Sequence, residues 1–598
     1  MLLRGNRRGG YAWQMLEGRL HRVVLLFVMI PVFTIGAFSL RPSPEARTVA
    51  LAPDAFDSQA AMADLKSLRA IPNRSPGSVG DQQAAEFVAT RFRAAGLKVT
   101  VQRSQTATIE GDRSTTTVRA VRTGFSQAKV VLAADRATPG SGEAPLTGTA
   151  TLLELARAIG GRTVMHTVEF VSTGAGPGGA LAEFTTPSES TIAAVALGET
   201  SGAGLHRPFV VPWAEARSVA APLALERSAA SALANETGLN PGEPTSSSRL
   251  ARLALPLTTG DQGQLLSAGV PAVMVSSSGE EAINGSAMAG NQLDSFGRAV
   301  LRLAGVLDGG SVKWPGAPSA AIPIRDRELP PWVLALLSGS LLAVALVVGV
   351  DGLARARRRR IPVLPSIRWF VSAWPVFGLM WAWLLLAGAV GVIPGVPASV
   401  PTPGSVPVAW AAVAGLPIVG ILGWIFVRPA IRGGETDYAR PEAAPGPGEA
   451  APAALMLMGV AGGAVIWLVN PVSALLVVGF VHIAPWLADP NRAIRRRHGF
   501  VLLALTVLPV LLALLSLMSS FGAGPIQFAW LIVLQLSGGS VGILGGLIAT
   551  LFAGLVASLV VVLWRSNQDT DFDFVTRGPL TYAGPGSLGG TESLLGRR

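Results

Sequence analysis

No cysteine occurs in the 598 residues, which excludes a disulfide framework, a thiolate metal site and a cysteine nucleophile. Charge is scarce as well: Asp, Glu, Lys and Arg make up 14% of the chain against 50% hydrophobic residues. That balance is too apolar for an ordinary soluble enzyme, and the mean hydropathy of +0.46 agrees. Carboxylates are the thinner sign, 37 against 48 Lys and Arg, for a formal net charge of +11. No nucleic-acid-binding motif accompanies the basic excess, so no nucleic-acid partner is expected. The arginines gather in short loops beside apolar runs, which reads as a signal of membrane topology. The absence of bridges, with the abundance of Ala, Gly and Arg, leans toward a bacterial cell membrane.

The apolar residues are unevenly spread. Five arginines within residues 1–22 precede the run Val23–Leu40, VVLLFVMIPVFTIGAFSL, which lacks a clear small-x-small cleavage site and reads as an uncleaved anchor. Residues 1–41 are then a basic lead and anchor, 42–313 an α/β domain outside the cytoplasm, 314–331 a Pro-rich linker, 332–564 a membrane region and 565–598 a Gly-, Ser- and Asp-rich disordered cytoplasmic tail. Seven further spans are expected at 332–350, 369–393, 408–427, 453–469, 472–487, 500–519 and 541–563, so that the anchor makes eight. Phe528–Leu536 is too short to cross and reads as interfacial or re-entrant. Arg355 and Arg357–Arg360, Arg428 and Arg432, Arg492 and Arg495–Arg497, and Arg565 fall on alternate connections, as a multi-pass protein with both termini cytoplasmic requires. Glycines at 538, 542, 546 and 554, and at 459 and 463, allow close helix contact within the bundle or between copies, leaving the oligomeric state open.

Within 54–303, helical patterns at Asp57–Leu68, Gln82–Ala95, Leu152–Ile159 and Leu293–Leu307 alternate with strand-like runs at Leu97–Gln102, Val130–Leu132, Thr167–Val171 and Pro271–Val275. This is a layered α/β domain with one core. Lys129–Gly161 is the most informative stretch: a buried strand, a Gly-rich loop at its carboxyl end, then the helix carrying LLELAR at Leu152–Arg157. In an open α/β sheet, ligands sit at such a loop.

An ordered series of segments resembles the M28 family of zinc aminopeptidases: Arg74-Ser75-Pro76-Gly77-Ser78 with the Gly96-Leu97-Lys98-Val99 that follows its helix, then LLELAR, Thr163–Val171 and Asp261–Val275, DQGQLLSAGVPAVMV. The resemblance implies a three-layer, doubly wound mixed sheet. It also implies a bridged two-zinc centre held by two His and three carboxylates, with a further Glu as general base.

The residues that would perform this chemistry have been replaced. Ala134 stands in the place of the first His, Ala144 in that of the bridging Asp, and Gly176-Pro177 in that of the Glu pair. The next carboxylate ligand falls on Glu199 or, with a one-residue shift, on Gly198, and no His follows His206 in the domain. Alanine and glycine side chains offer no lone pair, so no metal and no catalytic residue is expected. Asp135, Arg136, Glu143, Glu199 and Asp261 are the candidates for lining a ligand groove. The Gly-rich 174–179 segment lacks a Gly-Lys-Ser/Thr ending, and Ser246–Ser248 and Ser276–Ser278 lack a Gly-x-Ser-x-Gly elbow, which argues against phosphate-loop and serine-hydrolase readings. Apart from His482 the spans carry no ionisable group at mid-depth, which argues against an ion-coupled transporter. The layout also resembles the GPI-anchor attachment subunit of GPI transamidase. The expectation is a membrane-embedded pseudopeptidase that binds or presents a peptide, protein or envelope component, with the bilayer as its other partner. The alternatives are an M28 aminopeptidase with zinc in a rearranged site, and a lipid or solute carrier gated by the domain.

Overall fold

The computed structural model describes residues 15–49, 55–108, 111–137, 146–175, 191–201, 208–281, 290–394, 404, 406–432, 446–490, 494, 496–538 and 541–565. Helix α1, Gly18–Phe38, covers the run read as an anchor and is long and apolar enough to cross a membrane. The α/β domain follows with helices α2 (Ser58–Arg69), α3 (Val79–Ala94), α4 (Thr147–Gly160), α5 (Leu223–Thr237), α6 (Ser246–Ala254), α7 (Gln262–Ser267) and α8 (Gly290–Asp308). Its helix starts follow ordinary capping chemistry: Asp57 accepts from the amides of Gln59 and Ala60, and Ser78 accepts from Asp81 N–H.

The central sheet has seven strands, β2 (Lys98–Thr108), β3 (Gly111–Arg122), β4 (Ser126–Asp135), β5 (His166–Thr173), β6 (Thr191–Leu197), β7 (Phe209–Val211) and β8 (Ala272–Ser276). Their order is β2-β3-β5-β4-β6-β8-β7. β5, β4, β6 and β8 run parallel, and β2, β3 and β7 join antiparallel. The sheet is therefore mixed, as the alternating pattern implies. Register brings the strand ends level: Ala134 lies between Ser172 and Leu197, Asp135 opposite Thr173, and Leu197 opposite Val275. One apolar cluster spans the strands and α2, α3, α4, α5 and α8, with Leu132, Leu152, Leu155, Phe170, Phe92 and Phe296 wholly buried.

The stretch read as a linker carries a small hairpin of its own. Strands β9 (Ile322–Ile324) and β10 (Arg327–Leu329) pair antiparallel, and β10 also pairs with β1, Arg41–Pro42. The chain leaving α1 and the chain entering the membrane region are thus hydrogen-bonded to each other.

Among the described residues seven helices, rather than eight, are long and apolar enough to cross a membrane. They are α1, α9 (Pro331–Arg358), Leu364–Ala389 (α10, Leu364–Val371, with α11, Trp374–Ala389), Trp410–Arg432 (α12, Trp410–Leu422, a π-turn Gly423–Val427, and α13, Arg428–Arg432), α14 (Ala451–Val469), α16 (Arg496–Ser520) and α18 (Gly542–Arg565). The expected span 472–487 is the 17-residue α15, Pro471–Leu487, about 26 Å long against roughly 30 Å of hydrocarbon. It is the return arm of a hairpin that turns at Asn470, whose side chain caps α15. Its ends still reach both ends of the bundle: Ser473 bonds the domain at Ala254, and the Trp486 ring lies 5.9 Å from that of His21 near the start of α1. The re-entrant candidate is α17, Pro525–Ser537, 13 residues.

Pairwise contacts orient the bundle. Met15 and Leu16 share an apolar cluster with Ala356, Ala450 and Ala453, and Leu563 clusters with Trp369 and Leu487. At the other end Leu334 and Val472 cluster with Trp213 and Leu253 of the domain, and Leu517 and Phe521 with Leu255 and Leu257. The first and last described residues therefore lie at the end of the bundle away from the α/β domain. Asn470 Nδ2 donates to Leu253 O at 3.0 Å, and Ser473 Oγ to Ala254 O at 2.6 Å. The domain is seated on the hairpin tip through the C-terminal end of α6.

Candidate functional site

The parallel strands end together, and the loops after β4, β6 and β8 bring Asp135, Glu199 and Ser276–Ser277 to one edge of the sheet. Ser277 N–H donates to Glu199 O at 2.6 Å, tying two of these loops. Thr200 N–H donates to Thr147 Oγ1 at 2.9 Å, and the Thr151 and Thr200 hydroxyls meet at 2.8 Å, fixing the start of α4 to the loop after β6.

Asp135 closes β4. Its Oδ1 accepts from Ala137 N–H and from Thr173 Oγ1, each at 3.2 Å. Burial, and then the charge of Asp261, push its carboxyl well above the usual range, outweighing those hydrogen bonds and Arg136. Asp261, which precedes α7, is thereby placed in electrostatic contact with Asp135. Glu199 lies just past β6 with 8% of its surface exposed. Burial pushes it up to about 8, against the pull of Arg69. Three of the five groove candidates thus gather at the strand ends, and Glu199, raised to about 8, favours the protonated form near neutrality.

Arg136 faces the other way. Its side chain is wholly buried, pairs with Asp81 at 3.0 Å and donates to Ser172 O at 2.8 Å and to Thr116 O. Its chemistry is spent on clamping β3, β5 and the start of α3. Gly174 is needed there, because a Cβ at that position would collide with both Asp81 and Arg136. Burial raises the Asp81 carboxyl despite this partner.

Ala134 is wholly buried within β4, so its side chain contributes only packing there. Glu143, Ala144, Gly176, Pro177 and His206 lie outside the described residues. His166 sits at the opposite end of the sheet as the first residue of β5, and its Nε2 meets Gly310 O at 2.8 Å. Among the described residues the donor set at the strand ends is carboxylate only, and no group of three or more His, Cys, Asp or Glu is placed to hold an ion. A two-zinc centre wants histidine nitrogen as well as bridging carboxylate. These residues do not fit it.

Sequence reasoning missed what supports the third carboxylate. Gln262, wholly buried, donates through Nε2 to Thr258 Oγ1 at 2.9 Å and to Trp213 O at 3.3 Å. Glu280 accepts from Thr258 Oγ1 at 2.5 Å and from Thr259 N–H at 3.1 Å, so it braces the turn that leads into Asp261. Arg252 pairs with Glu280, and its guanidinium lies 4.7 Å from the Phe521 ring at the end of α16. A continuous set of contacts thus joins the membrane bundle to the candidate groove. Its one sequence signal is the placement of Arg252 and Glu280 on either side of the 258–262 turn.

No family model matches the chain, and no curated protein matches it. The chain is similar in structure to glutaminyl cyclase of Porphyromonas gingivalis, at 15% identity over 42% of this chain and 98% of that one, TM-score 0.31. It is also similar to the zinc aminopeptidase BSAP of Bacillus subtilis, at 11% identity over 42% and 94%, TM-score 0.34, and to the LapA aminopeptidase of Legionella pneumophila, at 14% identity over 43% and 73%, TM-score 0.34. At these TM-scores the likeness carries no argument. The reading rests on the sheet topology and on the residues at its edge.

Proposed function

We propose that this chain is a multi-pass membrane protein whose M28-like α/β domain, outside the cytoplasm of a bacterial cell, binds or presents a peptide, protein or envelope component without metal-dependent catalysis. What supports the reading is that the described side chains at the strand ends are the carboxylates of Asp135, Glu199 and Asp261, with buried Ala134 at the position where the M28 resemblance would put its first histidine. A sheltered acid such as Glu199, raised to about 8, can both donate and accept hydrogen bonds, which suits recognition of a polar backbone better than water activation. The bracing of the 258–262 turn supports a preformed edge.

The test uses the full chain in detergent micelles, dialysed against zinc. The expected result is less than stoichiometric zinc and no release of amino-terminal residues from an amino-acyl peptide library. Stoichiometric zinc with chelator-sensitive hydrolysis would falsify this reading and install a rearranged aminopeptidase. The binding role is checked with the same peptides by calorimetry, where Asp261→Asn or Glu199→Gln should weaken any peptide that binds.

A further inference from the structure

A second site lies at the far end of the bundle, where arginine charge is buried without an acid partner among the described residues. Arg428 begins α13 directly after the π-turn Gly423–Val427, and π-turns inside helices recur at functional sites. It is only 3% exposed. Its guanidinium carbon lies 3.9 Å from the Trp424 ring centroid and 5.2 Å from that of Trp369. Arg432, one turn on, is also 5.2 Å from Trp369. Arg565, at the end of α18, is within electrostatic reach of both. Ser372, wholly buried, accepts from Arg428 Nε at 3.4 Å.

The donors are not used up. Nη2 of Arg428, Nε and Nη2 of Arg432 and Nη1 of Arg565 are all buried without a hydrogen-bond partner. Among the described residues none of the three arginines forms an ion pair, whereas Arg355, at the same end of the bundle, is compensated by Glu17 and Asp351. Arginines that serve only as a topology signal reach into water. Arg428 is instead packed between two indole faces with a donor to spare.

We propose that Arg428, Arg432, Arg565 and Ser372 form an oxyanion site for phosphate chemistry, and that its occupant is the phosphodiester of an anionic lipid headgroup. Guanidinium forks match phosphate oxygens in pairs. Basic pockets between membrane helices near one surface are where such headgroups dock. The tryptophans belong to the same interfacial depth. A cluster of three cations is held together at little cost once an anion sits among them.

The test is lipid retention and thermal stabilisation of the full chain in neutral detergent, with phosphatidylglycerol, phosphatidylcholine and inorganic phosphate as probes. Phosphatidylglycerol should remain bound through purification and raise the unfolding temperature, and phosphatidylcholine should do neither. Arg432→Gln or Arg565→Gln should weaken phosphatidylglycerol about fivefold each, and the double variant by roughly 25-fold. Both positions are less buried than Arg428, so the measurement does not depend on how Arg428→Gln folds. Unchanged retention in the double variant overturns the site. Stabilisation by inorganic phosphate with no preference for phosphatidylglycerol overturns the lipid assignment. So does a several-fold gain in lipid retention when Asp569, Asp571 and Asp573 are changed together to Asn, because the chain's own tail would then be the occupant.

Discussion

Both halves of this molecule bury arginine, and they neutralise it differently. In the α/β domain three buried guanidiniums face a carboxylate, Arg136 with Asp81, Arg249 with Glu226 and Arg252 with Glu280, and a fourth, Arg74, donates to the carbonyls of Leu68 and Ile71. In the bundle, among the described residues, Arg428 has two indole rings and a serine and no carboxylate. A buried charge with an internal partner is part of the fold, because removing either side strands the other. A buried charge without one asks for something from outside. The contrast separates structural arginines from a candidate binding site without reference to any relative.

Breaking the first arrangement should have the largest effect. Glu280→Ala leaves Arg252 buried and unpaired and removes the brace on Thr258 and Thr259. We expect a loss of about 3–5 kcal/mol, read as a marked drop in the unfolding temperature of the micelle-bound chain. An unchanged midpoint would show that water replaces the partner.

Glu199 gives the next effect, through pH. Its folded carboxyl is raised from 4.5 to about 8, so the native state binds the extra proton between those values and stability falls as pH rises through that window. Glu199→Gln should flatten the slope and stabilise the chain above pH 8 by roughly 2 kcal/mol, after allowing for partial solvent screening. A parent and a variant with parallel pH profiles would remove the group from the account.

Arg428→Leu should have the opposite sign from Glu280→Ala in lipid-free micelles: a gain of about 1 kcal/mol, since an uncompensated buried charge disappears. The gain should vanish when phosphatidylglycerol is supplied. Destabilisation in both conditions would make the arginine structural and erase the contrast. The smallest effect is expected for Ser473→Ala, about 1 kcal/mol or less from one hydrogen bond to Ala254 O, visible as faster amide exchange in α6 with little change in the global midpoint.

The elements that could be read from sequence are those whose patterns are dictated by one environment. The LLELAR helix has apolar residues on the stripe that packs against β4, and the long membrane helices are apolar all round. β3 was not legible: GDRSTTTVRAVR has no apolar run, because its first half pairs with β2 alone and only Val118–Arg122 joins β5. β6, TIAAVAL, and α5, LALERSAASALANET, are both Ala-rich, and alanine fits a buried strand and a helix alike. The hairpin β9–β10 hid in a Pro-rich stretch because its strands have three residues each. At the site, the apolar run of β4 through Ala134 was legible as a buried strand. The inward turn of Arg136 was not, since a sequence neighbour of Asp135 gives no sign of which way its side chain leaves the strand end.

The seating of the domain has a further consequence. The chain from α1 and the chain into α9 are stitched together by β1 and β10, while the hairpin tip at Asn470 and Ser473 grips α6. Two attachments made by different parts of the chain leave no swivel. The domain is attached to the bundle at two places, so a ligand bound at the ends of its parallel strands would be held at a defined position relative to the bundle. A tethered globule would search a volume; this one can only address a spot.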